Sequence, residues 1–243
     1  MRLAISRVWL VLAGLCLATS NHAQSTVSSD APIPASEVKY RHPILQTSRF
    51  TAYLLEIPPH HATLMHRHDH DILSVFVSEA KTTSTFYGRE PSTETIPSGE
   101  SRFRPAGFTH STRNDDEIVF RSVILEFAQS QGAVRAQAAT QRYCNEGSTT
   151  DCVTEKRQLC TDGFCVTEIS MTPRAIRKAS VARSSYAVIP VTHCELSRPG
   201  DGPTAVHAHN AGEIEYFEAA GDSWQYSGKA EARVILVSFQ PRK

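Results

Sequence analysis

The sequence has no excess of either charge and, after its first two dozen residues, no long apolar run. Its 243 residues include 25 lysines and arginines and 25 aspartates and glutamates, so the formal net charge is zero. A balanced chain gives no reason to expect a nucleic-acid partner or an acidic membrane surface. Because no later stretch is apolar enough to cross a bilayer, we expect no integral span in the mature chain.

Several catalytic signatures are also missing. The chain contains no GxSxG elbow, no phosphate-binding P-loop and no GxGxxG fingerprint. Their absence argues against a serine hydrolase of the α/β type, an NTPase and a dinucleotide-binding enzyme. No two cysteines are spaced as CxxC, which argues against a structural zinc site built from them.

The N-terminus has the pattern of an export signal. Arg2 and Arg7 precede the apolar run VWLVLAGLCL at 8–17, and the small, polar segment ATSNHAQS follows. We therefore predict a signal peptide over 1–23, cleaved after Ser20 or Ala23, and a periplasmic or secreted protein; an uncleaved membrane anchor is the alternative. Residues 24–37, rich in Ser, Ala and Pro, are predicted to form a disordered mature N-terminus.

Export implies an oxidising compartment in which cysteines pair. Cys160 and Cys165 lie on either side of an Asp-Gly turn in CTDGFC, so they are predicted to bridge the two strands of a hairpin. Cys144 and Cys152 are a second candidate pair. Cys194 is then left over.

From Val38 onward, short runs rich in β-branched and aromatic residues alternate with Pro, Gly, Asn and Asp, which predicts an all-β sandwich or barrel. The segment AQSQGAVRAQAATQRY interrupts this pattern as a linker or a short helix. ATLMHRHDHDILSVFVSEA in the first half aligns with PTAVHAHNAGEIEYFEAA in the second. Such a repeat predicts two barrels, at 38–128 and 151–243, joined by a linker at 129–150.

A histidine pair marks the first half. His66 and His68 are two residues apart in an apparent strand and so project to one face. In the next strand Asp71, Leu73 and Val75 share the more apolar face, which we expect to face the core and to aim Asp71 at the two histidines. Two imidazoles and a carboxylate can bind a first-row transition metal.

The segment from Gly99 to Asn114 reads GESRFRPAGFTHSTRN. Gly99, Pro105, Gly107, His110 and Asn114 in it match the second motif of the cupin superfamily, G-x5-P-x-G-x2-H-x3-N, which the sequence therefore resembles. His66 and His68 fit the histidine pair of the first cupin motif. That motif's glutamate is absent at its usual distance, and Asp71 comes after only two intervening residues.

The resemblance implies a double-stranded β-helix, or jelly-roll, barrel in which His66, His68 and His110 converge on one divalent metal with a carboxylate. The other ligand stays open between Asp71, His70 and a water. Fe, Mn, Zn, Ni and Cu are not distinguished. Pro105 and Gly107 would shape the turn before His110, and Asn114 would serve the backbone. The competing interpretation is a set of polar residues at a barrel mouth.

The second half repeats only the first motif, with His207, His209, Glu213 and Gly221. No histidine follows His209, so the resemblance implies a shortened second barrel. His207, His209 and Glu213 are candidate ligands of a second metal, or a remnant of one, or the lining of a pocket.

Three classes of function remain open on this pattern. The first is a metal-dependent enzyme, dioxygenase-like or isomerase-like, acting on a small oxygen-rich molecule, and this class follows from the resemblance. The second is a non-catalytic periplasmic module that binds or senses a small ligand. The third is a structural or storage protein. A homodimer is compatible with all three.

Overall fold

A computed structural model of the protein describes residues 31–135, 139–178, 185–197, 206–218 and 224–241. The expected signal peptide at 1–23, with Cys16, and the glycine at 221 lie outside these residues. The described chain is all-β, as predicted, apart from a 3-10 helix at Ala35–Glu37. None of its helices is long and apolar enough to cross a membrane.

The strands are β1 (Ile33–Pro34), β2 (Arg41–Gln46), β3 (Phe50–Ile57), β4 (His66–His68), β5 (Ile72–Phe76), β6 (Ala80–Phe86), β7 (Ser92–Ile96), β8 (Ser101–Arg104), β9 (Phe108–Asn114), β10 (Phe120–Phe127), β11 (Ala139–Cys144), β12 (Cys152–Cys160), β13 (Phe164–Met171), β14 (Ile176–Arg177), β15 (Tyr186–Pro190), β16 (Cys194–Ser197), β17 (His207–His209), β18 (Glu215–Phe217), β19 (Trp224–Tyr226) and β20 (Ala232–Phe239).

These strands form four sheets, two in each half of the chain. In the N-terminal lobe (33–127) the strand orders are β1-β4-β9-β6-β7, here called the histidine sheet, and β2-β3-β10-β5-β8, here called the shared sheet. In the C-terminal lobe (139–239) they are β11-β12-β13-β20-β15-β18 and β14-β19-β16-β17. Strands that are neighbours in a sheet are mostly distant in sequence, as in a jelly roll, because the chain crosses repeatedly between the two sheets of a lobe.

Both faces of the shared sheet are buried. Ile72 and Phe76 of β5 pack inside the N-terminal lobe in one apolar cluster. Leu73 and Val75, on the opposite face, pack with Phe164 and other residues of the C-terminal lobe in a second cluster. The face with Leu73 and Val75 does pack in a core, as expected, but this core is the one shared with the C-terminal lobe, and the histidine cavity lies on the face with Ile72 and Phe76.

The described part of the expected disordered segment is ordered. Ile33 pairs with His66 in a parallel bridge, and its N–H donates to the carbonyl of Met65 at 3.2 Å. Ala35 and Val38 are buried. The structure thus differs from the prediction over 31–37, because a short apolar segment covers the histidine sheet at its edge.

The second half begins inside the segment that was expected to be a linker, since β11 lies within 129–150 and forms a hairpin with β12. Both predicted disulfides are confirmed, Cys144–Cys152 across this hairpin and Cys160–Cys165 across the next. Two disulfides indicate an oxidising compartment. Cys194 is a buried free thiol whose pKa is raised to about 12, first by burial and then by nearby glutamates, so it stays protonated.

Candidate metal centre

Three histidines meet inside the N-terminal lobe. His66 and His68 alternate along β4 and so face the same way, and β4 pairs antiparallel with β9 so that His66 lies opposite His110. One nitrogen from each ring lies within 4.8 Å of the other two. Among the described residues this is the one group of three or more His, Cys, Asp or Glu side chains gathered closely enough to hold a metal ion.

The ring nitrogens are oriented for coordination. Nδ1 of His66 lies 2.8 Å from the carbonyl of Leu64, which can only accept, so Nδ1 carries the hydrogen and Nε2 keeps a lone pair. Nε2 of His110 and Nε2 of His68 lie 3.3 Å apart and point to one region. An outer hydrogen bond that fixes the tautomer of a histidine is the usual support of a metal ligand.

Burial keeps these imidazoles neutral. It lowers the pKa of His68 to about 2, with His66, His110 and Arg41 adding to the effect. Burial also lowers the pKa of His110 to about 3, helped by His66 and Arg104. The pKa of His66 is lowered by burial against the opposing hydrogen bond to Leu64. Neutral imidazole is the metal-binding form, so protons compete little for these sites at neutral pH.

Aromatic rings enclose the histidines. Phe108 stacks on His68 with centroids 4.6 Å apart, and Phe86 stacks on His110 at 5.5 Å. The cavity beside them has a volume of about 70 Å³ and lies between the two sheets of the lobe. Rings packed against the imidazoles restrict their rotation and exclude water, which favours a site with fixed geometry.

Neither alternative for a further protein ligand joins the three histidines. Asp71 is buried, but its carboxylate accepts hydrogen bonds from the N–H of Ala106 at 2.8 Å and of Gln131 at 2.7 Å, and from the hydroxyl of Ser130 at 3.1 Å. His70 is exposed. The carboxylate of Asp71 therefore joins two loops and lies outside the group of ligand atoms. Its expected direction failed because the Leu73 and Val75 face of β5 packs against the C-terminal lobe and not against the histidines.

The residues predicted to shape the motif occupy turns. Gly107 has a φ of +90° and its N–H donates to the carbonyl of His68 at 2.8 Å, which ties the turn before His110 to the first histidine strand. Gly99 has a φ of +85°, and a side chain there would collide with Arg233 of the C-terminal lobe. Glycine tolerates both conformations without strain. Pro105 is exposed beside the first of these turns.

Asn114 is fully buried and bonds only backbone groups, in keeping with the role expected for it. Its Nδ2 donates to the carbonyls of Ile57 at 3.0 Å and Ile118 at 2.7 Å, and its Oδ1 accepts from the N–H of Asp116 at 3.0 Å.

We expect Asn114→Ala to lower the free energy of unfolding by about 2–3 kcal/mol, since it removes the three hydrogen bonds that this fully buried amide makes to the backbone. Urea unfolding measures this loss. Metal content measured on the folded variant should match the wild type; a loss of metal without a loss of stability would contradict a purely structural role.

The candidate ligands in the C-terminal lobe do not assemble in the same way. His207 is exposed, and its ring centroid lies 6.4 Å from that of His209. The carboxylate of Glu213 accepts from the N–H and the side-chain amide of Asn210 and lies 4.0 Å from Nδ1 of His209, whereas Glu215 lies 3.7 Å away. Among the residues described in this lobe, these atoms form no cluster as tight as that of the three histidines.

Sequence reasoning missed two arginines. Arg41 in β2 and Arg104 in β8 both line the cavity that contains the histidines. Arg41 lies outside both motifs and precedes His42 and Pro43 on an edge strand, so no local pattern marks it. Arg104 occupies one of the five unspecified positions between Gly99 and Pro105, so the motif assigns its side chain no role.

Comparison with known proteins shows which solved structures share this fold. No family model matches the chain, and no curated protein does. Among solved structures, AerE from Microcystis aeruginosa has a TM-score of 0.57 at 9% identity, covering 84% of this chain and 99% of that one. Salicylate 1,2-dioxygenase from Pseudaminobacter salicylatoxidans has 0.54 at 10% identity, covering 82% and 76%. A cupin 2 conserved barrel domain protein from Leptotrichia buccalis has 0.52 at 13% identity, covering 87% and 92%.

Proposed function

We propose that this chain, which has the cupin fold, holds one divalent transition metal with His66, His68 and His110 and acts as a metal-dependent enzyme. The reaction would be of the dioxygenase or isomerase type, on a small oxygen-rich molecule. The observation that carries the proposal is the convergence of three neutral imidazoles, two of them buried and that of His110 half-buried, whose ligand atoms lie within 4.8 Å of one another.

The donor set fits such a metal. Neutral imidazole binds Mn, Fe, Ni, Cu and Zn, and three protein ligands leave coordination positions for a small molecule. When bound, the metal would supply Lewis-acid or redox chemistry. The chain's own part is to orient the rings, through Leu64 at His66, and to keep water away with Phe86 and Phe108.

The neighbours in fold support a small-molecule ligand without identifying it. A salicylate 1,2-dioxygenase variant bound to gentisate has a TM-score of 0.53 at 9% identity. At that identity only the fold is shared, and fold does not carry function.

A non-catalytic module that binds or senses a small ligand is the second candidate. It is favoured by the lining of the cavity, which among its described residues has no carboxylate to act as a general acid or base beside the histidines. A protein that retains metal and ligand but converts none of a panel of small oxygen-rich molecules would favour this candidate.

Export is part of the proposal. The segment 1–23 would be removed as a signal peptide, and the mature chain would be periplasmic or secreted. The two disulfides support an oxidising destination. The first residue of the mature protein, determined by mass spectrometry, tests this directly.

Elemental analysis tests the metal. We expect wild-type protein to carry about one equivalent of a divalent transition metal and His66→Ala with His110→Ala to carry at least tenfold less, because one imidazole cannot hold the ion. The matched control is His42→Ala with His70→Ala, which removes two exposed histidines. Equal metal in the wild type and the first double variant, both folded, would refute the metal site.

A further inference from the structure

Arg41 is a buried cation whose hydrogen bonds are incomplete. Its side chain is 2% exposed, and its Nη2 pairs with Glu126 Oε2 at 2.5 Å. Its Nε and Nη1 are buried and have no hydrogen-bond partner in the part of the chain that the structure describes. Buried polar groups are nearly always paired, and a charged group left without partners carries a large desolvation cost.

The guanidinium of Arg41 is held in place beside the histidines. It stands 3.6 Å from the centre of the Tyr53 ring. Arg41 lies opposite Leu55 in the shared sheet, so both side chains share the inner face, and both line the histidine cavity. A guanidinium fixed by one carboxylate and one ring is preorganised to bind a further acceptor.

Arg104 is a second cation at the same cavity. Its guanidinium stands 4.7 Å from the centre of the Phe86 ring and 6.0 Å from that of Phe108, the two rings that stack on His110 and His68. Within the described residues it has no carboxylate at ion-pair distance and no hydrogen bond. Three arginines thus line the cavity, and Arg104 is the one without a carboxylate partner among the described residues, since Arg41 pairs with Glu126 and Arg102 with Glu94 and Glu100.

We infer that the histidine cavity takes a small carboxylate ligand, whose carboxylate group accepts hydrogen bonds from Arg41 and is attracted by Arg104. This names the substrate class of the proposed function and so rests on it. The three arginines that line the cavity, Arg41, Arg102 and Arg104, are matched in number by Glu126, Glu94 and Glu100, so a divalent metal adds positive charge that an anionic ligand would offset. In the metal-free protein the unpartnered donors of Arg41 still offer hydrogen bonds to such a ligand. The guanidinium fork can bind a carboxylate or a phosphate bidentately, and the small volume of the cavity favours the smaller carboxylate group.

Calorimetric titration with oxalate tests the inference on the full chain, first metal-free and then loaded with Zn²⁺. We expect oxalate to bind in both states and its neutral diamide, oxamide, to bind in neither. Arg41→Lys keeps a charge for Glu126 but loses the remaining guanidinium donors, and should weaken oxalate at least tenfold. Arg104→Gln, which breaks no described hydrogen bond, should weaken it several-fold.

Arg177→Lys is the matched control for burial. Arg177 is equally buried, pairs with Glu155 at 2.9 Å and stands 4.9 Å from the Trp224 ring, in the C-terminal lobe. Oxalate affinity should be unchanged in it. Oxalate binding to the metal-free protein that survives both cavity variants, or phosphate or oxamide binding to it as tightly as oxalate, would overturn the inference. Because the first titration needs no metal, this failure is distinct from a failure of the metal site.

Discussion

Replacing Phe164 by alanine should lower the free energy of unfolding by about 3–5 kcal/mol, the range for a fully buried aromatic ring. Phe164 belongs to β13 of the C-terminal lobe and is fully buried. Its ring stacks on Phe127 with centroids 5.0 Å apart and meets Phe103 edge-on at 5.7 Å. Both partners belong to the N-terminal lobe, so the truncation removes contacts inside one lobe and between the two.

Urea unfolding followed by far-UV circular dichroism measures this effect. Tyr87→Ala is the matched control, because it removes an aromatic ring that is 71% exposed, and it should change stability by less than about 0.5 kcal/mol. A loss below about 1 kcal/mol for Phe164→Ala would show that the lobes do not pack through this ring.

Metal-free protein should lose stability steeply as the pH falls below 6.5. The pKa of His68 is about 2 in the folded chain, against 6.5 for a free histidine, because burial penalises the charged ring. Between these values the unfolded chain takes up a proton that the folded chain does not, so acid favours unfolding. One such group contributes about 1.4 kcal/mol per pH unit in that window, and none above it. His110, with a pKa of about 3, acts in the same direction.

The measurement is the free energy of unfolding in the presence of a chelator at pH values from 7 to 4.5. His68→Gln should reduce the slope by about 1.4 kcal/mol per pH unit, whereas His42→Gln, at an exposed site, should not. Carboxylates that titrate in the same range are common to all three proteins and cancel in the comparison. A slope that His68→Gln leaves unchanged would mean that His68 is charged or solvated when folded.

Local sequence patterns were enough to predict the all-β content and the two disulfides. The Asp162-Gly163 turn between Cys160 and Cys165 determines a hairpin by itself, because opposed strand positions put the two sulfurs within reach. The cupin resemblance likewise predicted that His110 lies near His66 and His68. The two motifs belong to β4 and β9, which pair in the fold.

Side-chain direction was harder to predict. The alternation in β5 shows which residues share a face but not which face is the interior, and here both faces are buried. For this reason Asp71 was predicted to point toward the metal. In the structure its carboxylate accepts hydrogen bonds from the N–H groups of Ala106 and Gln131. A sequence contains no direct signal of a partner surface that is built by the other half of the same chain.

Arg41 illustrates a second limit. Its position depends on the pairing of β2 with β3 and on Glu126, which is 85 residues away. No window of local sequence joins these groups, and an isolated arginine ahead of a proline has the appearance of an ordinary surface residue.

Substitutions on the two faces of the shared sheet affect each other. Adjacent residues of β5 serve different neighbours, with Ile72 lining the cavity and Leu73 packing against the C-terminal lobe. A drift in the size of side chains on the outer face must tilt or shift the backbone that also carries the inner face. The shape of the histidine cavity can therefore diverge through substitutions that do not line it, selected as compensations in the other half of the chain.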